Sequence, residues 1–248
     1  MKILFAGPTL PDAAARVPSG IVCRGPVLQG DVHAAVEDGA SAIGIIDGGF
    51  EFTAPVWHKE ILFALEAGVR VIGAASMGAL RAVECEAFGM QGVGRVFEDY
   101  RAGRRIDDGD VAQLHGPEAL GFLPLTEPLV NVSATLEALV AEGRLDEPVA
   151  SELLCAAERL FFKDRTWAAI VNAVTTVEDQ QRARLRRLLR HHRVDQKRLD
   201  ALELVATLAG WPEDRDPQPT GWRFIRTSLW EEMLLLPRPR RQDTESGC

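Results

Sequence analysis

Val71-Ile72-Gly73-Ala74-Ala75-Ser76-Met77-Gly78-Ala79-Leu80-Arg81-Ala82 is the stretch that decides the fold. A β-branched apolar run ends in small residues, reaches a single serine and passes at once into helix-forming residues. A buried strand that feeds straight into a helix belongs to a parallel α/β sheet. At such a junction the Ser76 hydroxyl points outward at a helix N-terminus, where unpaired N–H groups and the helix dipole favour negative charge. Acyl transfer uses that arrangement, an exposed nucleophile beside donors for an oxyanion.

The same alternation extends outward from this stretch. Lys2–Gly7 reads as a strand, Ile21–Arg24 as a second, Asp31–Asp38 as a short helix and Ala42–Asp47 as a strand ending at Gly48-Gly49. Pro55–Ala67 reads as a helix with Pro55 in its first turn and Gly68 after its end, followed by strand Val69–Ala75 and helix Met77–Phe88. After a Gly- and Asp-rich stretch, Gly89–His115, helical spacing dominates: Glu127–Glu142, Glu147–Phe162, Arg165–Val174, Val177–His192 and Lys197–Ala209. Trp211–Thr220 reads as a loop, Trp222–Leu236 as one more amphipathic piece and Pro237–Cys248 as a disordered tail. The fold class is α/β, a Rossmann-like parallel sheet flanked by helices with an all-helical C-terminal half. The expected domains are an α/β core over 1–125, a helical region over 126–210 packed on it, and a linker, short helix and tail over 211–248.

Composition narrows the function. The chain has 248 residues, 46% hydrophobic and 26% charged, enough for a core of ordinary size. A net charge of −8 argues against nucleic-acid binding, which demands a basic face. No apolar run approaches the roughly 20 residues that span a bilayer, and Met1–Pro8 breaks too early for a signal peptide. A cytoplasmic protein is expected. Cys23, Cys85, Cys155 and Cys248 lack the spacing of a zinc site or a disulfide framework, so no metal is expected. Cys85, inside the helix after Ser76, reads as a packing residue. No phosphate-loop pattern and no cofactor motif appears.

In a parallel sheet functional groups gather at the carboxyl ends of strands, and both Asp47 and Ser76 lie there. Ser76 is the candidate nucleophile; the plainer alternative is a serine that caps its helix. The Met77 N–H, with Gly48 and Gly49 from the neighbouring turn and Gly78 in the helix's first turn, would hold the oxyanion or substrate. His58 is the candidate base, against a plain surface histidine, and Lys59 the alternative base of a Ser–Lys pair. Asp47 would orient His58, unless it only starts the turn at Gly48. Arg81 is a substrate-binding candidate, although Glu84 lies in place to form an ordinary intrahelical pair with it. Asp107, Asp108 and Asp110 form an acidic loop whose oxygens could hold a divalent cation, but three carboxylates without a calcium-loop pattern more often make a solvated turn, or else contact a basic partner; His115 beyond them is a second candidate base. Arg182, Arg184, Arg186, Arg187, Arg190, Arg193, Lys197 and Arg198 make a dense basic run, read as a solvated face or a dock for an acidic protein. His191 and His192 read as surface.

Several segments together resemble the TfuA family. They are Gly7-Pro8-Thr9-Leu10, Gly30-Asp31, Gly44-Ile45-Ile46-Asp47-Gly48-Gly49-Phe50 and Val56-Trp57-His58-Lys59-Glu60-Ile61-Leu62. Gly73 to Ala82, Phe88-Gly89-Met90, Gly92-Val93-Gly94, Asp107-Asp108-Gly109-Asp110-Val111-Ala112 with His115, and Glu127-Pro128-Leu129-Val130-Asn131 continue the likeness in register over roughly residues 1–170. Gly109 interrupts the longer acidic run usual in the family, and Asp110 stands where a glutamate is usual. The resemblance implies a protein that works with a YcaO enzyme in thioamidation of peptide backbones. It implies hydrolysis of a thiocarboxylated ThiS-like sulfur carrier to release sulfide, activation of the YcaO partner, and contact with the precursor peptide. A non-catalytic adaptor of the YcaO enzyme is the alternative.

Overall fold

The computed structural model describes residues 1–51, 53–216 and 221–235. Five strands, β1 Lys2–Phe5, β2 Ile21–Arg24, β3 Ala42–Ile45, β4 Arg70–Gly73 and β5 Gln91–Gly92, form one sheet in the order β2-β1-β3-β4-β5, with every pairing parallel. The helices between them are α1 Ala13–Arg16, α2 Asp31–Glu37, α3 His58–Glu66, α4 Met77–Cys85 and, after β5, α5 Gly94–Arg101. The chain then becomes helical: α6 Leu129–Ala141, α7 Glu147–Arg159, α8 Trp167–Ala173, α9 Asp179–His191, α10 Gln196–Gly210 and α11 Ser228–Leu235. The α/β class and the helical C-terminal half stand as expected. Pro237–Cys248, read from sequence as a disordered tail, lies outside the described residues.

Two compact units divide the chain: Met1–Arg104 together with the described residues from Asp200 onward, and Arg105–Leu199. Leu204 and Leu208 of α10 belong to the first unit and lie on the sheet. In the first unit β1, β3 and β4 are in register at Leu4, Gly44 and Ile72, which share a face. Gly44 leaves room there for the Leu204 and Leu208 side chains, which a Cβ would meet at 2.8 and 3.0 Å. The opposite face, through Ile45 and Gly73, receives α4. The second unit is built on α6 to α9, whose core joins Leu136, Leu139, Leu153, Trp167, Ile170 and Leu189.

Two local departures from the sequence reading have clear causes. The helix expected from Pro55 begins at His58, because Glu60 reaches back to accept the Trp57 N–H at 3.2 Å and fixes the start there. The Gly- and Asp-rich stretch holds β5 and α5, and the cap of α5 comes from far away: Asp200 Oδ2 accepts the Val96 N–H at 2.7 Å. Gly94, at φ +89°, lets the chain pass the Asp200 carboxylate, into which a Cβ would run.

Candidate functional site

β4 ends at Gly73, and Ala74-Ala75-Ser76 folds into a three-residue turn closed by the Ser76 N–H donating to Ala74 O at 2.7 Å. Ala75 at its centre has φ +67°, the strained form of the γ-turn, although it carries a Cβ and is fully buried. Such a conformation costs on the order of 1–2 kcal/mol and persists only where the surroundings dictate it, commonly at functional sites. The surroundings here are close-fitting. The Gly78 N–H donates to Ile46 O at 3.1 Å. A Cβ on Gly78 would collide with the Ile45 carbonyl, and one on Gly73 with the Gly78 carbonyl. These two glycines let the first turn of α4 rest directly on β3 and β4.

Ser76 is the N-cap residue of α4, yet its side chain makes no capping hydrogen bond. Half-buried, its hydroxyl has no partner among the described residues. The helix-cap alternative therefore does not describe it. Met77 follows at N1, a position whose N–H has no acceptor within the helix, and its side chain lies against Gly48.

Asp47 lies one strand over and is spent differently from the expectation that it orients His58. Its Oδ2 accepts the N–H groups of Gly7 and Thr9 at 2.9 and 3.0 Å, and its Oδ1 accepts the Thr9 hydroxyl at 2.5 Å. Both Asp47 and Thr9 are buried. β1 and β3 are the strands at which the sheet order reverses, the point where ligands bind in open parallel sheets. The Asp47 carboxylate thus ties together the two loops that flank that point. Thr9 was not among the sequence candidates; its place directly after the first strand, beside the reversal, is the signal that could have found it.

His58 is half-exposed at the start of α3, and its Nε2 pairs with Glu84 Oε2 at 2.8 Å. The same oxygen accepts Arg81 Nη1 at 2.6 Å, so the expected Arg81–Glu84 pair forms with His58 as a third member. Burial opposes the Glu84 charge, but the His58 and Arg81 hydrogen bonds hold its carboxyl below the ordinary range. Arg81 also donates to Val56 O at 3.1 Å. Glu84 lies eight residues beyond Ser76, about 12 Å of helix rise. Lys59 turns to the C-terminal segment, donating to Ile225 O and Thr227 Oγ1, each at 3.0 Å, above the Phe224 ring. Of the proposed oxyanion donors, the Gly49 N–H is given to Val27 O at 2.9 Å and the Gly78 N–H to Ile46 O. The structure therefore groups His58 with Glu84 and Arg81, and Asp47 with Thr9 and Gly7.

Glu60, which no sequence reading placed in the site, is completely buried and accepts the Gly30 N–H at the start of α2 at 2.8 Å. Burial pushes its carboxyl up, against the pull of those amides. Cys85 packs in the core, where burial raises its thiol to about 12.

The acidic loop belongs to the second unit. Asp107 accepts the Gly109 N–H at 2.8 Å, starting a short 3₁₀ turn over Asp108–Asp110, and Asp110 pairs with Arg105 at 2.9 Å. Asp108 is exposed. His115 Nδ1 contacts Gly116 O at 2.8 Å and its ring meets Phe122 edge-on. The basic run divides by role. Arg193 binds Glu127 and Asp195, Lys197 is buried on Val111 O, and Arg182 reaches Val171 O, whereas Arg184, Arg187 and Arg190 face solvent. Among the described residues no three His, Cys, Asp or Glu side chains converge as a metal would need, and no helix is long and apolar enough to cross a membrane.

Fold and site define a parallel α/β protein with an uncommitted serine at a strained strand-to-helix turn, next to the reversal point of the sheet. Residues 47–166 match the family described as TfuA-like protein, a span that holds Asp47, His58, Ser76 and the acidic loop. Over that span the chain is similar to the TfuA family. No curated protein matches the chain.

Proposed function

We propose that the protein serves a YcaO enzyme in peptide backbone thioamidation by hydrolysing a thiocarboxylated ThiS-like carrier, with Ser76 as nucleophile. The observation that carries this reading is the Ser76 hydroxyl, free of any capping role on a turn that holds Ala75 at φ +67°. Attack of Oγ on the thiocarboxylate carbon breaks the C–S bond. The serine proton leaves on sulfur as hydrosulfide, and an ester remains on Ser76. Water then cleaves the ester to the carboxylate and restores the hydroxyl. Because the departing sulfur takes up the proton, this substrate asks less of a base than a peptide or an oxygen ester does. The Met77 N–H at the helix start is the donor best suited to the oxyanion.

A second reading, a non-catalytic adaptor that activates the YcaO enzyme, has its own support. Asp47 is committed to Thr9 and Gly7, His58 to Glu84, and the Gly49 and Gly78 amides to carbonyls, so no Ser–His–Asp triad assembles among the described residues. One experiment separates the two. A thiocarboxylated ThiS-like carrier is incubated with wild type and with Ser76→Ala, with and without the YcaO partner, and its intact mass is followed. Conversion to the carboxylate by wild type alone supports the hydrolase. A carrier left unchanged under every condition, with the YcaO enzyme still stimulated, establishes the adaptor.

A further inference from the structure

The second unit carries leucines outside its core as well as in it. Leu136, Leu139, Leu153 and Leu189 are at most 3% exposed, whereas Leu114, Leu120, Leu123 and Leu125 are 38%, 66%, 57% and 51% exposed. Single exposed leucines are ordinary; several on one face mark an interaction site. These four belong to one small hairpin over 114–125, where an antiparallel bridge joins His115 to Pro124. The Gly116 N–H donates to Leu123 O at 2.8 Å and the Leu125 N–H to Leu114 O at 2.9 Å. Leu114 therefore stands opposite Leu125 and Gly116 opposite Leu123, and alternation along each strand puts them on the same face. Leu120 joins that face from the turn: a Cβ on Gly116 would lie 3.8 Å from the Cβ atoms of both Leu120 and Leu123. The glycine leaves a notch between them.

The hairpin is built to hold this face outward. The Leu114 N–H donates at 2.8 Å to the hydroxyl of buried Thr126, which fastens the base. At the tip a 3₁₀ turn over Glu118–Leu120 ends in Gly121, and Phe122 follows at φ +54°, a costly conformation for a bulky residue. The Phe122 ring lies with His115, edge-on at 5.6 Å, on the face away from the leucines.

Charge narrows the occupant. From Ile106 to Leu125 the chain carries four carboxylates and no lysine or arginine. Asp110 is paired with Arg105, while Asp107, Asp108 and Glu118 are exposed. Exposed Arg190 and half-buried Arg193 lie at the base, where they line a cavity with Pro124 and Leu125, and Arg193 is compensated by Glu127 and Asp195. The tip and the entering loop are therefore acidic, and an anionic lipid surface would be repelled there. Four half-exposed leucines fall short of the roughly 800 Å² per partner of a stable interface, so the occupant must add polar contacts of its own. A second copy's hairpin brings only the same carboxylates.

We propose that the leucine face of this hairpin docks an amphipathic helix of a partner protein, apolar along one side and flanked by Lys or Arg that pair with Glu118 and the acidic loop. The face runs about 10 Å from the Leu114–Leu125 pair to Leu120, close to the length of two helical turns. Apolar side chains one turn apart on the helix cover it, and one of them enters the notch at Gly116. The inference holds whether or not Ser76 is a nucleophile, and its test reads binding alone.

The test is fluorescence anisotropy of three labelled peptides titrated with full-length protein. The first is Leu-Lys-Lys-Leu repeated three times, the second has every lysine replaced by glutamate, and the third has every leucine replaced by serine. The first is expected to bind about tenfold or more tightly than either of the others. Leu120→Ser with Leu123→Ser, both at exposed positions, is expected to weaken that binding by about tenfold or more with an unchanged circular dichroism spectrum. Leu120→Ser alone, at the most exposed of the four, is expected to weaken it less. Asp108→Asn with Glu118→Gln is expected to weaken it severalfold and to flatten its dependence on salt. No binding of the first peptide, equal binding of the lysine and glutamate peptides, or unchanged binding by the leucine variants each overturn the proposal. So does wild-type protein that sediments with phosphatidylcholine vesicles, or as a dimer, when the leucine variants do not: the face would then belong to a membrane or to a second copy.

Discussion

Ala75 holds its left-handed conformation against its own Cβ, and glycine would hold it without strain. Ala75→Gly is expected to stabilise the fold by up to about 1 kcal/mol in urea titration. On the hydrolase reading it also slows sulfide release, because the hydroxyl loses its fixed position. Asp47→Ala leaves three donors, two of them backbone N–H groups, without their acceptor inside the protein. A loss of about 3 kcal/mol is expected, with Asp47→Asn losing less. The thiols should react in order of burial: native protein treated with iodoacetamide at neutral pH is modified at exposed Cys155, while Cys85, pushed up to about 12, stays unmodified by mass spectrometry. At this scale the sequence reveals residues whose meaning is local. Ser76 is visible because strand, turn and helix are contiguous around it. The partner of Asp47 is not, since Thr9 lies 38 positions earlier and only the pairing of β1 with β3 brings it near. His58 likewise finds Glu84 26 positions later, across two helices that no pattern in the sequence pairs.

The elements follow the same division between local and distant causes. Strands and helices with their own apolar period are legible, with ends displaced where a distant group decides them. α5 went unread because its cap, Asp200, arrives from α10 and its first residue, Gly94, signals a turn. The seat of α4 is a contact between elements that two glycines encode. Gly78→Ala and Gly73→Ala each place a methyl in backbone that cannot yield without lifting α4 from the sheet. Each is expected to cost about 3 kcal/mol, measured by chemical denaturation, whereas Gly103→Ala, with open space around its Cβ, is expected to cost far less despite its φ of +69°.

For the molecule as a whole, two carboxylates of opposite behaviour, fully buried Glu60 and half-buried Asp195, shape stability against pH. Glu60 has a folded pKa raised by burial, so the folded state holds its proton more tightly than the unfolded chain does. Its contribution is fully present below the ordinary value of 4.5 and is lost as pH rises through the folded value. Asp195 is depressed: burial opposes its charge, but Arg193 outweighs that, so its contribution is present above 3.8 and is lost as pH falls. Unfolding titrations across pH should therefore show wild type losing ground to Glu60→Gln as pH rises from 4.5. Against Asp195→Asn, wild type should lose its advantage as pH falls below 3.8. The opposite slopes would contradict the burial and pairing seen at those groups.

The leucines of α10 that lie over Gly44 bear on how the protein is made as well as on how it stands. About 160 residues of chain separate Gly44 from Leu204, and a ribosome adding 5–20 residues per second needs about 8–30 s to deliver them. From the making of Ile72 until α10 follows, the nascent sheet has strands but no roof over Leu4 and Ile72. The chain is born with an apolar face that only its late-made helix can close, and during those seconds a chaperone would find it open.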